Sequence, residues 1–152
     1  MPVPTTPTAG IGITLGYKLS GATIYTTLGE IMDDFEFDGF DTTIIPIPTI
    51  AQKNLTKTAG RTDFGTLNGS MYLIGADAGV QEVVNLAALG TVVGWQVQLP
   101  DGRSGASGTT GTTFQFNGFV SNIKPGNFTG DDAPHLDFTI AISGAVTMGN
   151  PT

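Results

Sequence analysis

Val93-Gly94-Trp95-Gln96-Val97-Gln98-Leu99 (VGWQVQL, residues 93–99) alternates apolar with small or polar side chains without a break. In a strand, successive side chains point to opposite faces, so Val93, Trp95, Val97 and Leu99 share one side and Gly94, Gln96 and Gln98 the other. The pattern is that of a half-buried antiparallel strand. Leu136, Phe138, Ile140 and Ile142 repeat it against Asp137, Thr139, Ala141 and Ser143. Phe114 and Phe116 begin a third such strand, but Phe119 is out of phase, and Gly118 sits at the slip, where a bulge would restore the pattern. Fainter strand signals cover about 11–19, 22–27, 31–38, 42–50 and 67–75. Within 42–50, Pro46 and Pro48 lie two apart, so their missing N–H groups face one edge and place that segment at a sheet boundary.

One helix interrupts the strands. Asp77 can cap it, Val80, Val83, Val84 and Ala87 follow the helical stripe, and Gly90 supplies the stop, so a helix is predicted over about 78–89. Its apolar face should close one opening of the β core. Two stretches read as irregular: residues 51–66 (AQKNLTKTAGRTDFGT), a long polar loop, and residues 101–113, a Gly/Ser/Thr linker. The reading is therefore one mainly-β antiparallel domain over residues 1–152, with residues 1–10 as an extended N-terminal arm.

Composition narrows the function. Charged residues make up 12% of the chain, about half the roughly 25% of an ordinary soluble domain, so much surface is expected to lie against neighbours. The net charge of −7 opposes phosphate-backbone binding, which needs Lys and Arg to release counterions. There is no cysteine, hence no disulfide and no thiolate metal site, as suits a reducing cytoplasm. No apolar run approaches 18 residues, and the first residues lack the charged and apolar regions of a signal peptide.

The charges are clustered. Glu30, Asp33, Asp34, Glu36, Asp38 and Asp41 are six of the thirteen acids, with no base among them. Lys53, Lys57 and Arg61, three of the six bases, follow with only Asp63 nearby. Asp34 to Gly39 (DFEFDG) opens like a calcium loop, but its twelfth position is Ile45 where a bidentate Glu is needed. Phe35 and Phe37 alternate with Asp34, Glu36 and Asp38, which favours a strand with one acidic face. That face must be solvated, neutralised or used for repulsion, and the basic segment could neutralise it within one chain or between chains.

Enzyme motifs are missing. His135 is the sole histidine, no nucleophile elbow occurs, and the Gly-rich loop at 102–111 lacks the Gly-Lys-Ser/Thr ending of a phosphate loop. No catalytic group and no cofactor or metal site is expected.

The order of elements resembles a known family. An MPVP start leads to G-x-x-x-T-L, then strands, a polar stretch, one helix, Val97-Gln98-Leu99-Pro100-Asp101-Gly102 and Phe116-Asn117-Gly118-Phe119-Val120-Ser121. This resembles the major tail tube protein of long, non-contractile, lambda-like bacteriophage tails. The resemblance implies a β-sandwich or barrel-like tail tube fold with one flanking helix. It also implies hexameric rings that stack into a hollow tube for genomic DNA, in a virion assembled in the host cytoplasm. Partners implied are further copies of the chain, the tape-measure protein, and the tail terminator and distal tail proteins. DNA would pass without sequence-specific binding, and no membrane is involved. The inter-ring or inter-subunit contact would fall on Lys53, Lys57, Arg61, Asp63 and Phe64 in the 51–66 loop. Asp33, Asp34, Glu36, Asp38 and Asp41 would line the lumen or form the acidic half of a subunit contact, and the nearby basic segment favours the contact. The rival class is a β-sandwich binding or decoration module for carbohydrate or surfaces. Such a module needs an exposed aromatic platform, whereas Trp95 falls on the apolar side of its strand.

Overall fold

The computed structural model describes residues 13–28, 32–51, 53–100, 111–126 and 128–149. In chain order they form β1 (Thr14–Lys18), β2 (Thr26–Thr27), β3 (Met32–Phe37), β4 (Asp41–Ile47), β5 (Thr56–Asp63), β6 (Thr66–Tyr72), α1 (Ala78–Leu89), β7 (Val93–Gln98), β8 (Thr113–Gly126) and β9 (His135–Gly149). Seven strands make one sheet in the order β2-β1-β7-β8-β9-β6-β3, and β4 pairs with β5 apart from it. Every pairing is antiparallel. The N-terminal arm (1–10) and most of the 101–113 linker fall outside the described residues.

The sheet is rolled. Phe37 on the outermost strand β3 has its ring 5.6 Å from Phe116 and 6.0 Å from Phe114 of β8. In a flat sheet, strands three places apart would be about 14 Å apart, so the edge must curl back over the centre. The fold is thus sandwich-like, with Trp95, Leu15, Leu67, Met71, Leu136, Phe138 and Ile140 enclosed inside. VGWQVQL runs as expected, with Val93, Trp95 and Val97 buried. The Trp95 indole Nε1–H donates to the Gly118 carbonyl at 3.2 Å, which satisfies its buried donor.

Gly118 has a different reason from the predicted one. Phe116, Gly118 and Val120 all stay buried, so the inward phase runs unbroken through the glycine, and Phe119 points to the other face. The register shifts flank the glycine, between Gln115 and Asn117 and between Val120 and Asn122. Gly118 is required by close packing: a Cβ there would lie 2.6 Å from the Ala141 carbonyl oxygen and 2.9 Å from Ile140 Cγ2.

α1 has the predicted ends. Asp77 Oδ1 accepts from the Gly79 and Val80 N–H groups at 2.8 and 3.3 Å. Gly90 adopts the left-handed conformation at φ 63° and donates its N–H to Leu86 O. The buried stripe is Val80, Val83 and Leu86, with Ala87 half-buried, and it joins the core. Val84, predicted inside, is 46% exposed because Leu86 takes the inward position on that turn.

The largest departure from expectation concerns residues 51–66. Thr56–Asp63 is strand β5, and β6 starts at Thr66, so the irregular stretch shrinks to the connection between Ile47 and Thr56. The β3–β6 ladder continues through the bond from Asp38 N–H to Thr66 O (2.8 Å) into Asp41 opposite Asp63, without change of register. One long two-stranded ribbon therefore lies half in the sheet and half beyond it. β4, with its two-proline signal, is at a boundary: it pairs with β5 alone.

Candidate functional site

The distal half of the ribbon, the β4–β5 hairpin, is where sequence and geometry disagree most with a self-sufficient subunit. Ile44, Ile45 and Ile47 are 64%, 47% and 44% exposed. None of the described residues from Asp41 to Asp63 belongs to the core cluster or packs against it as a partner. A two-stranded hairpin is marginal on its own, and this one extends from the root it shares with β3 and β6.

Its root is fixed by aromatic rings and two glycines. The Phe40 ring lies 4.8 Å from Phe64 and 6.3 Å from Phe37, tying the root to β3. Gly39 and Gly65 have φ of 109° and 72°, and a Cβ on Gly65 would come within 2.5 Å of Gly39 O. The Gly65 N–H donates to Asp63 Oδ1 at 2.8 Å, and the Thr42 and Thr62 hydroxyls meet at 2.9 Å. Beside the root, Thr43, Arg61, Asp63, Phe64, Ile142 and Gly144 enclose a surface cleft of about 400 Å³.

The five predicted contact residues therefore separate. Asp63 and Phe64 belong to the root, Lys57 and Arg61 to β5, and Lys53 to the turn. Lys53, Lys57 and Arg61 are exposed, and among the described residues none is ion-paired with an acid. Among the described residues, then, the basic segment does not neutralise the acidic one within the chain.

The acids also separate. β3 is a strand, with Phe35 and Phe37 half-buried and Asp34 and Glu36 exposed. Cross-strand register then sets Asp34 beside Ser70, Ser70 beside Asp137 and Asp137 beside Lys124. Glu36 stands beside Asn68 and Asn68 beside Thr139, whose hydroxyl donates to Asn68 Oδ1 at 3.0 Å. Asp34, Glu36 and Asp137 thus line one shallow acidic groove of about 300 Å³ on the outer face of the sheet. On the inner face of the same strands, Gly69 leaves room for Phe138, whose Cζ would lie 2.6 Å from any Cβ there.

Asp137 was absent from the predicted acidic set because its partner is remote in sequence. The alternation H-L-D-F gave its face, but only the strand order brings it to Asp34. Asp38 follows β3 and is exposed; Asp41 faces Asp63 at the hairpin root, away from the groove. Glu30 and the side chain of Asp33 lie outside the described residues.

Two further sites are structural. Tyr72 and His135 are cross-strand neighbours with rings 4.7 Å apart. Burial, then the negative charge of Glu82, raises the Tyr17 pKa above its usual value, and a hydrogen bond with Thr26 acts the other way. Among the described residues no group of three His, Cys, Asp or Glu side chains could hold a metal ion.

No family model matches the sequence, and no curated protein matches it. Solved structures do match in shape. A subunit in the tail of an empty gene transfer agent particle, of C6 symmetry, is 14% identical with a TM-score of 0.70, over 94% of this chain and 99% of the other. A subunit in the six-fold symmetrised baseplate of the anti-feeding prophage is 7% identical with a TM-score of 0.72, over 97% and 98%. The tail tube of SPP1 is 10% identical with a TM-score of 0.70, over 95% of this chain and 80% of the other. At these identities the likeness is one of fold: the chain has the fold found in tubular tails, as the motif resemblance implied.

Proposed function

We propose that this protein is a structural, non-enzymatic virion protein whose copies form hexameric rings that stack into a tail tube. The observation that carries the proposal is the match, over 94% of this chain and 99% of its counterpart, to a subunit of a sixfold tail. Two features of the chain itself support it. The hairpin leaves Ile44, Ile45 and Ile47 substantially exposed, and among the described residues its cations form no ion pair with an acid of the same chain. Both call for neighbours, and a cationic arm against an acidic body makes a heterologous contact, the kind that closes rings or extends stacks.

The motifs 97–102 and 116–121 favour a tail of the long non-contractile kind. On this reading the lumen conducts genomic DNA, the tape-measure protein occupies it during assembly, and terminator and distal tail proteins close the ends. A chain of net charge −7 repels a duplex carrying one charge per about 1.7 Å, which lets DNA slide. Electron microscopy of the purified protein at high concentration tests the proposal. Six-fold rings or hollow tubes are expected; a strictly monomeric species under all conditions would sink it.

A further inference from the structure

We infer that the Asp38–Gly39 peptide is a site of spontaneous backbone modification, where the aspartyl linkage rearranges to a β-linked isoaspartyl one and lengthens the leg joining β3 to β4. This is a property of the single chain and stands apart from the assembly reading above.

The rearrangement needs no enzyme and no reagent but water. The amide nitrogen of the following residue attacks the side-chain carboxyl carbon and a C–N bond forms. The hydroxyl leaves with the amide proton as water, closing a five-membered imide. Water then reopens the ring at either carbonyl, so the composition is unchanged and the chain runs through the original carbonyl or through the side chain. An asparagine follows the same path with loss of ammonia. A following glycine favours closure, because no Cβ obstructs its nitrogen.

Four such dipeptides occur: Asp38–Gly39, Asn68–Gly69, Asp101–Gly102 and Asn117–Gly118. Residues 101–102 lie outside the described residues. Asn68 and Gly69 are in β6, paired with β3 on one side and β9 on the other. Asn117 and Gly118 are in β8, between β7 and β9. Closure turns the backbone out of the strand's ψ of about 135°, so at these two sites it must break two ladders at once. Asn68 is held further by the Thr139 hydroxyl on its Oδ1.

Asp38 is placed differently. It is exposed, follows the end of β3, and donates its own N–H to Thr66 O at 2.8 Å. Neither its carboxylate nor the Gly39 N–H has a hydrogen-bond partner among the described residues. A Cβ built on Gly39 would meet nothing within 4 Å, so the imide ring has room. The fold thus shields the two asparagine sites, which are chemically the faster ones, and leaves the aspartyl site open. The modification also falls where it has an effect. It adds one main-chain carbon between the last ladder bond of β3 and Phe40, whose ring lies 4.8 Å from Phe64. Gly39 O already sits against Gly65, 2.5 Å from where a Cβ would stand, so the added length must displace the first pairs of β4 with β5.

The test ages the folded full chain for several weeks at about pH 6 and about 37 °C. Mass spectrometry with electron-transfer fragmentation then distinguishes isoaspartate from aspartate at each site. β-Linked residue 38 should accumulate at least about tenfold faster than any conversion at Asn68 or Asn117. In about 8 M urea that advantage should disappear, since every site is then unshielded. Hydrogen exchange in β4 and β5 should be at least about tenfold faster in aged protein than in fresh. Aged Asp38→Glu, which would have to close a six-membered ring, should exchange like fresh protein. Residue 38 staying α-linked in the folded chain, or converting no faster than Asn68 and Asn117, would overturn the site. β-Linked protein whose β4 and β5 exchange like fresh protein would overturn the lengthened leg.

Discussion

Gly118 carries two loads at once, since its carbonyl accepts the Trp95 indole and its missing side chain admits β9. Gly118→Ala should destabilise the fold by about 1–3 kcal/mol, because the obstacle is backbone and cannot swing aside; urea unfolding would show it as a lower midpoint at unchanged slope. Asp77→Ala removes the acceptor of two helix N–H groups and should cost about 1 kcal/mol by the same measurement. Tyr17 predicts an alkaline limit. Its folded-state pKa lies above the ordinary 10.0, so below about pH 10 both states keep the proton and stability is unaffected. As pH rises past that point the unfolded chain loses its proton first, and the fold loses stability until the folded-state pKa is passed. Tyr17→Phe should flatten that decline, and unfolding midpoints between about pH 8 and 11 would reveal it.

At the level of elements, the hairpin should be separable from the fold. Reversing Lys53, Lys57 and Arg61 to Glu leaves the core untouched, so circular dichroism and melting should match the wild type while tube formation is lost. Normal polymerisation of that variant would remove the cations from any contact. Alternation and caps made most elements legible: VGWQVQL, the 136–142 strand and the helix with its Asp77 and Gly90 ends are where the residues put them. β5 was not legible, because TKTAGRTD has no apolar alternation to betray a strand. It is extended only because β4 gives its backbone a ladder, and pairing between distant segments leaves no local mark. The acidic groove was half legible for the same reason. Asp34 and Glu36 were visible as a face, whereas Asp137 reaches them only through the order β9-β6-β3.

For the whole molecule, an arm rich in cations on an acid-rich body implies assembly that salt weakens. Raising sodium chloride from about 0.05 to 0.5 M shortens the screening length several-fold, and light scattering should show slower assembly and a higher critical concentration. Insensitivity to salt would assign the contact to the aliphatic side chains alone. The sheet order has a mechanical corollary. Both legs of the hairpin are rooted in the sheet, one in β3 and one in β6, but unequally. β6 is held by ladders on both sides, to β3 and to β9, whereas β3 is the outermost strand and has a ladder to β6 alone among the described residues. A pull on the arm therefore loads a leg that can peel and a leg that cannot. Under tension, as when a bent tube stretches its outer wall, β3 should unzip first and re-form on release, while β6 keeps the arm tethered to the subunit.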